Sequence, residues 1–126
     1  MFDLIESNQF ALENGPAGPY RLLIGIIEER LVLDVRDEGS QPLTTFQFTL
    51  GPFRRLIKDY FLICESYHEA IRTAPPSRIE AIDMGRRGLH DEGSRLLADK
   101  LKGKAVLDFD TARRLFTLIC ALHWKG

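Results

Sequence analysis

The sequence has little cysteine, little histidine, almost no excess of charge of either sign and no long apolar run. Cysteine occurs only at Cys64 and Cys120, and histidine three times. No Cys/His spacing resembles a structural zinc site, so no metal is expected. Neither a phosphate-loop nor a dinucleotide fingerprint is present, and no cofactor is expected. Both cysteines fall in helical patterns, which suits free buried thiols in a reducing cytoplasm better than a disulfide. The longest uncharged stretch that could pass for a membrane span, Leu115 to Trp124, has 10 residues, about half of what a bilayer requires. The start, Met-Phe-Asp-Leu-Ile-Glu, has neither a basic segment nor a long apolar one, so no signal peptide is expected and the cytoplasm is the expected location. A formal net charge of −1 leaves no global field to hold nucleic acid or an anionic membrane.

What is present fits one soluble domain. The 126 residues, 44% hydrophobic and 28% charged, suffice for a single core. The cations are skewed, with 12 Arg against 5 Lys. Arginine is favoured where planar, bidentate contact with carboxylate or phosphate matters, although genomic base composition produces the same bias.

Read for local structure, residues 1–19 form an N-terminal turn and loop, with "ALENGPAGP" (11–19) broken by glycine and proline. Residues 20–50 form an antiparallel meander. Its first strand turns Tyr20, Leu22, Ile24 and Ile26 to one face. Glu28 and Glu29 fill a turn for which they are poor residues. The second strand points Leu31, Leu33 and Val35 inward, and the third alternates Thr44, Phe46, Phe48 and Leu50 against Leu43, Thr45, Gln47 and Thr49. One face of such a sheet must be covered.

The cover is helical, over residues 52–126. Pro52 suits a first helical position, and Phe53, Leu56, Ile57, Tyr60, Phe61, Cys64, Tyr67 and Ile71 form one broad apolar stripe. Pro75 stops this helix. Ser77 and Glu80 form a capping box for the next. A short strand is expected near 104–109, joining the meander as a fourth strand, and Asp110 is expected to cap the last helix. The expected fold class is α+β: a meander of three to four strands packed against three main helices.

The second helix contains an anomaly, "IDMGRRGLHDEGSRLL" (82–97), with Gly85, Gly88 and Gly93. Each glycine inside a helix costs roughly 1 kcal/mol relative to alanine. If the helix runs unbroken from Arg78 to Leu101, Ile79, Ile82, Leu89, Leu96 and Leu97 share a face with Gly93, and the glycines permit close packing. Arg86 then falls within that apolar face with His90 one turn on, where an isolated guanidinium is expensive and needs a carboxylate or a bound anion. If the helix breaks at "MGRRG", a loop with two arginines leads into a helix N-terminus, as in a phosphate-binding turn. Two more pairs, Arg54-Arg55 and Arg113-Arg114, lie near predicted helix starts, where positive charge opposes the macrodipole. Salt bridges to Asp34, Asp37, Glu38 or Asp108 would relieve them, and so would a docked anion. The candidate anion-binding residues are therefore Arg86, Arg87, His90, Arg54, Arg55, Arg113 and Arg114.

Other residues carry weaker signals. Cys64 and His68 stand one turn apart, but Cys64 is near the centre of the apolar stripe and reads as an inert thiol. His123 reads as a satisfied core histidine. Asp83, Asp91 and Glu92 read as solvated helix faces. The last helix is apolar on nearly every side, so self-association through Leu115, Ile119, Leu122 and Trp124 is expected.

The stretches "GPFRRLIKDYFLICESYHEAIRTAPPSRIEAIDMGRRGLHDEGSRLL" and "LDFDTARRLFTLICALHWKG", with "GPYRL" and "LVLDVRDE", closely resemble a small alphaproteobacterial family known as uncharacterised protein family number 0262. The resemblance covers essentially residues 2–126. Members usually carry further residues before the segment similar to "FDLIESNQF", so Met1 is read as a later start or as the edge of a shortened chain. The resemblance implies a bacterial cytoplasmic protein and transfers no activity or functional residue.

Function is therefore open at this level. The first hypothesis is a non-catalytic binding or regulatory module, expected as a homodimer. The alternative is an enzyme for a small phosphorylated or carboxylate substrate, with Arg86 and Arg87 as anion clamp and His90 as acid/base. RNA binding through arginine pairs on one face is the weakest, given the near-neutral charge.

Overall fold

The period-two apolar pattern of residues 20–49 forms a three-stranded antiparallel sheet, β2 (Tyr20–Ile27), β3 (Arg30–Asp37) and β4 (Pro42–Thr49), in the order β2-β3-β4. These elements come from a computed structural model, which describes residues 10–13, 15 and 18–125, the last two by backbone alone. Leu22 stands opposite Val35, Ile24 opposite Leu33 and Ile26 opposite Leu31; Leu33 also faces Phe46, and Leu31 faces Phe48. These inward residues are the ones the alternation selects. The register shifts once, between Val35 and Arg36, where the ladder is irregular. The β2–β3 turn is two residues long, and Glu28 and Glu29 both have positive φ, 50° and 62°. That is the primed geometry which matches strand twist, occupied here by residues that normally avoid it.

The helices follow in α1 (Gly51–Thr73), α2 (Pro76–Leu101) and α3 (Phe109–Lys125). Pro52 sits in the first turn of α1, as its fixed φ favours. The core joins Leu31, Leu33 and Val35 of the sheet to Phe53 and Ile57 of α1, Leu97 and Leu101 of α2, and Leu115, Phe116 and Ile119 of α3. Each such fully buried side chain contributes on the order of 1.5–3 kcal/mol. The stripe of α1 leaves the core toward its C-terminus, where Ile71 is exposed.

Several expectations are corrected. Residues 104–109 do not extend the meander: β5 (Ala105–Leu107) pairs antiparallel with β1 (Phe10–Leu12) in a separate two-stranded sheet. Ala11 and Leu12, read as loop, are therefore strand. The Tyr20 hydroxyl accepts a hydrogen bond from the Leu12 amide at 3.3 Å, and its ring meets Phe10 edge-on, so β1 is held by the start of β2. The rest of the expected N-terminal turn, residues 1–9, lies outside the described residues. The capping box does not form: α2 starts at Pro76 after Pro75, with no side-chain cap. Asp108, not Asp110, caps α3, accepting a hydrogen bond from the Thr111 amide at 2.9 Å. Leu115 and Ile119 are each 1% exposed, within the chain's own core. Among the described residues, no helix is long and apolar enough to cross a membrane.

Candidate functional site

The glycine-bearing helix is unbroken. α2 runs its full 26 residues through Gly85 and Gly88, so the phosphate-turn reading of "MGRRG" is corrected. Long helices are held by tertiary packing more than by propensity, and α2 is clamped from both sides. A β-carbon on Gly93 would overlap the ring of Phe116 from α3, and one on Gly85 would come within 2.7 Å of Ile63 from α1. Close approach therefore accounts for two of the three glycines. Nothing in the structure explains Gly88, which has open space around it.

Because α2 is continuous, Arg86 does sit at the edge of its apolar face, and it finds a carboxylate. Its Nη2 meets Asp83 Oδ1 at 2.6 Å and its Nε meets the same oxygen at 3.1 Å. Arg87 Nε reaches the other oxygen, Asp83 Oδ2, at 3.0 Å. One aspartate thus orients both arginines. The hydrogen bond from Arg86, with the Arg87 charge beside it, holds the Asp83 carboxyl below its ordinary value. Arg86 also stacks over the Tyr67 ring at 5.2 Å, a cation–π contact to α1.

Across from this pair, α3 presents Arg113 and Arg114. Arg113 Nε faces Asp91 Oδ1 at 3.4 Å, without hydrogen-bond geometry, and Nη1 faces Asp110 at 3.9 Å. The Arg114 charge helps to lower the Asp108 carboxyl, after the hydrogen bonds from Thr111. The two pairs share a cavity of about 590 Å³, lined by Tyr60 of α1, Arg86, Arg87 and His90 of α2, and Asp110, Arg113, Arg114 and Thr117 of α3. The lining holds four guanidiniums against the single carboxylate of Asp110, while Asp83 and Asp91 stand outside it.

His90 lies between the Tyr60 and Phe116 rings, at centroid distances of 5.4 and 5.2 Å. Its Nε2 is 2.8 Å from Thr117 Oγ1, and that hydroxyl donates its only proton to the Arg113 carbonyl at 3.0 Å. The ring must therefore donate at Nε2. Nδ1 is left as a buried acceptor with no partner. Burial lowers the pKa of His90, and the Arg113 charge adds to the effect, so the imidazole is neutral at physiological pH.

The third arginine pair is elsewhere. Arg54 pairs with Glu29 in the β2–β3 turn at 2.9 Å, and Arg55, 92% exposed, reaches Asp59 at 4.0 Å. Relief of the helix-start arginines comes from Glu29, Asp59, Asp91 and Asp110, with Asp108, one of the expected acids, facing Arg114 electrostatically. Asp34, one of the expected acids, binds Arg36 on its own strand instead. Sequence reasoning missed Tyr60 and Thr117 and assigned Asp83 to solvent. The spacing of Asp83 from Arg86 and Arg87, three and four residues, was the available signal for the last.

The other candidates lie outside this cavity. Cys64 and Cys120 are free thiols. Burial, with Cys64 nearby, pushes the Cys120 thiol up to about 12. Cys64 neighbours Tyr60 and Cys120 rather than His68, whose ring meets Tyr67. His123 lines a smaller apolar groove with Arg54, Lys58, Phe61 and Leu62. Among the described residues no group of His, Cys, Asp and Glu could hold a metal.

Fold and site together define a small α+β domain whose three helices border an open, arginine-lined cavity. The chain belongs to an uncharacterised protein family, UPF0262, which it matches over residues 1–125. Similar proteins, each named UPF0262 protein, occur in Azorhizobium caulinodans (62% identical), Xanthobacter autotrophicus (61%) and Rhodopseudomonas palustris strain BisB18 (60%). Each alignment covers 100% of this chain and 77–79% of the relative. No solved structure matches it significantly. The family description states no activity, and function is open on that ground.

Proposed function

We propose that this protein is a non-catalytic binding module of the bacterial cytoplasm, and that its ligand is a small anion held between α2 and α3. One observation carries this: Arg86, Arg87, Arg113 and Arg114, from two helices, line the same cavity. Guanidiniums recognise phosphate and carboxylate through paired, charge-assisted hydrogen bonds. The cytoplasmic part of the proposal is supported by the two free thiols.

Catalysis by His90 is the weaker reading. A general acid or base needs a ring nitrogen within reach of the ligand. Nε2 is committed to Thr117, and Nδ1 is buried. His90 instead ties α2 to α3 and keeps the two arginine pairs facing one cavity. Of the residues expected to join two copies, Leu122 alone is half-buried rather than buried, the Trp124 side chain lying outside the described residues; self-association is therefore no part of this proposal.

Thermal shift tests the proposal. Orthophosphate, sulfate and succinate are titrated against the parent, Arg87→Ala and, as a remote control, Arg55→Ala. A bound anion raises Tm by mass action. Stabilisation of the parent and of Arg55→Ala, lost in Arg87→Ala, is the expected result. Equal responses in all three proteins would place any anion site elsewhere.

A further inference from the structure

Resting on that reading, we propose that the ligand is double-headed: an organic or inorganic molecule with two phosphoryl groups, one gripped by Arg86-Arg87 and the other by Arg113-Arg114.

The first support is geometric. Neighbouring residues leave an α-helix about 100° apart, yet Asp83 draws the Arg86 and Arg87 guanidiniums to one carboxylate, so a consecutive pair can meet a single group. The cavity is lined by two such pairs, one from α2 and one from α3. One phosphoryl group is saturated by the forked donors of about two arginines, so four guanidiniums suit two groups.

The second support is size. A cavity of about 590 Å³ lies in the range that accommodates a whole metabolite, roughly 300–1,000 Å³, rather than a lone oxyanion.

The third support is preorganisation. The α2 pair is anchored before any ligand arrives, through a carboxylate outside the cavity lining. Asp83 fixes Arg86 and Arg87 through its two separate oxygens, and Asp91 faces Arg113. A guanidinium has five N–H donors, so a contact of this kind leaves others for a ligand. The distance between the pairs is set by packing: Gly93 against Phe116, and His90 against Thr117. Two grips carried on two packed helices select a ligand whose charges are also separated. The relation is one of effective concentration, since the second phosphoryl group binds intramolecularly once the first is held.

Isothermal titration at fixed, moderate salt compares double-headed with single-headed probes: pyrophosphate with orthophosphate, and fructose 1,6-bisphosphate with fructose 6-phosphate. The proteins are the parent, Arg87→Gln and Arg114→Gln. At least one double-headed probe is expected to bind the parent about ten-fold or more tighter than its single-headed counterpart. Either variant should remove most of that advantage, because each breaks one of the two grips. If each probe pair binds the parent equally, or if only one variant has an effect, the double-headed ligand is wrong while anion binding stands. If no probe binds the parent, both proposals fall. If a uridine oligonucleotide binds tighter than any of these, with affinity dropping steeply with salt, the cavity is part of an RNA surface and the double-headed ligand is overturned.

Discussion

Gly93 of α2 lies against the ring of Phe116 of α3 so closely that no β-carbon fits between them. Phe116 is fully buried and wedged by Tyr60 and His90, so it cannot swing aside. Overpacking of a core costs about 1–3 kcal/mol, which outweighs the roughly 1 kcal/mol that alanine gains over glycine in a helix. Gly93→Ala should therefore lower stability by roughly 1–2 kcal/mol in urea denaturation. Gly88, in the same helix with no neighbour in range, should behave oppositely, Gly88→Ala raising stability by about 0.4–1 kcal/mol. Equal effects at the two positions would refute the packing account.

The β2–β3 turn should accept improvement. Glu28 and Glu29 occupy the left-handed region, where a residue with a β-carbon is disfavoured by roughly 1–2 kcal/mol. Asn-Gly is the natural pair for this geometry. The double variant Glu28→Asn/Glu29→Gly gives up the exposed contact between Glu29 and Arg54, worth about 0–1 kcal/mol at a surface. The net expectation is a gain of about 1 kcal/mol by thermal or chemical unfolding, with an unchanged circular dichroism spectrum.

Acid should weaken the helix junction through His90. Burial and Arg113 lower its pKa in the folded protein, so the unfolded chain takes up the proton first. The stability this histidine contributes is complete above the unfolded value of about 6.5, and it is lost as pH falls from there through the lowered folded value. Tm should drop between pH 7.5 and 5.5. Gln has an amide that can replace the donor to Thr117 and does not titrate, so His90→Gln should flatten that part of the curve. A parallel decline in parent and variant would assign the pH dependence to other groups.

Asp108 and Asp110 separate capping from site chemistry. Asp108 accepts from the Thr111 amide and ends α3 properly, whereas Asp110 lines the cavity and stands 3.9 Å from Arg113. Asp108→Ala should lower Tm more than Asp110→Ala. Asp110→Asn, which removes the one carboxylate of the lining, should strengthen binding of orthophosphate or pyrophosphate measured by calorimetry.

The meander, its inward residues and the course of α1 were legible in the sequence. Alternation at 20–49 and the stripe from Phe53 to Tyr67 are local patterns, and local geometry alone decides which side chains share a face. The doubt over Gly85 and Gly88 was not local. Whether glycines break a helix or let its neighbours approach depends on what packs there: Ile63, distant along the chain, lies against Gly85, and nothing lies against Gly88.

By itself the chain determined an α+β order of elements, the arginine pairs and the need of Arg86 for a negative partner. Only the tertiary structure decided that β5 pairs with β1 rather than with the meander, that Asp83 serves two arginines, and that Arg113-Arg114 faces Arg86-Arg87 while Arg54-Arg55 does not. Periodicity records which way a side chain points from its own element. It carries nothing about which second element that direction meets, because such meetings are settled by the packing of the whole core.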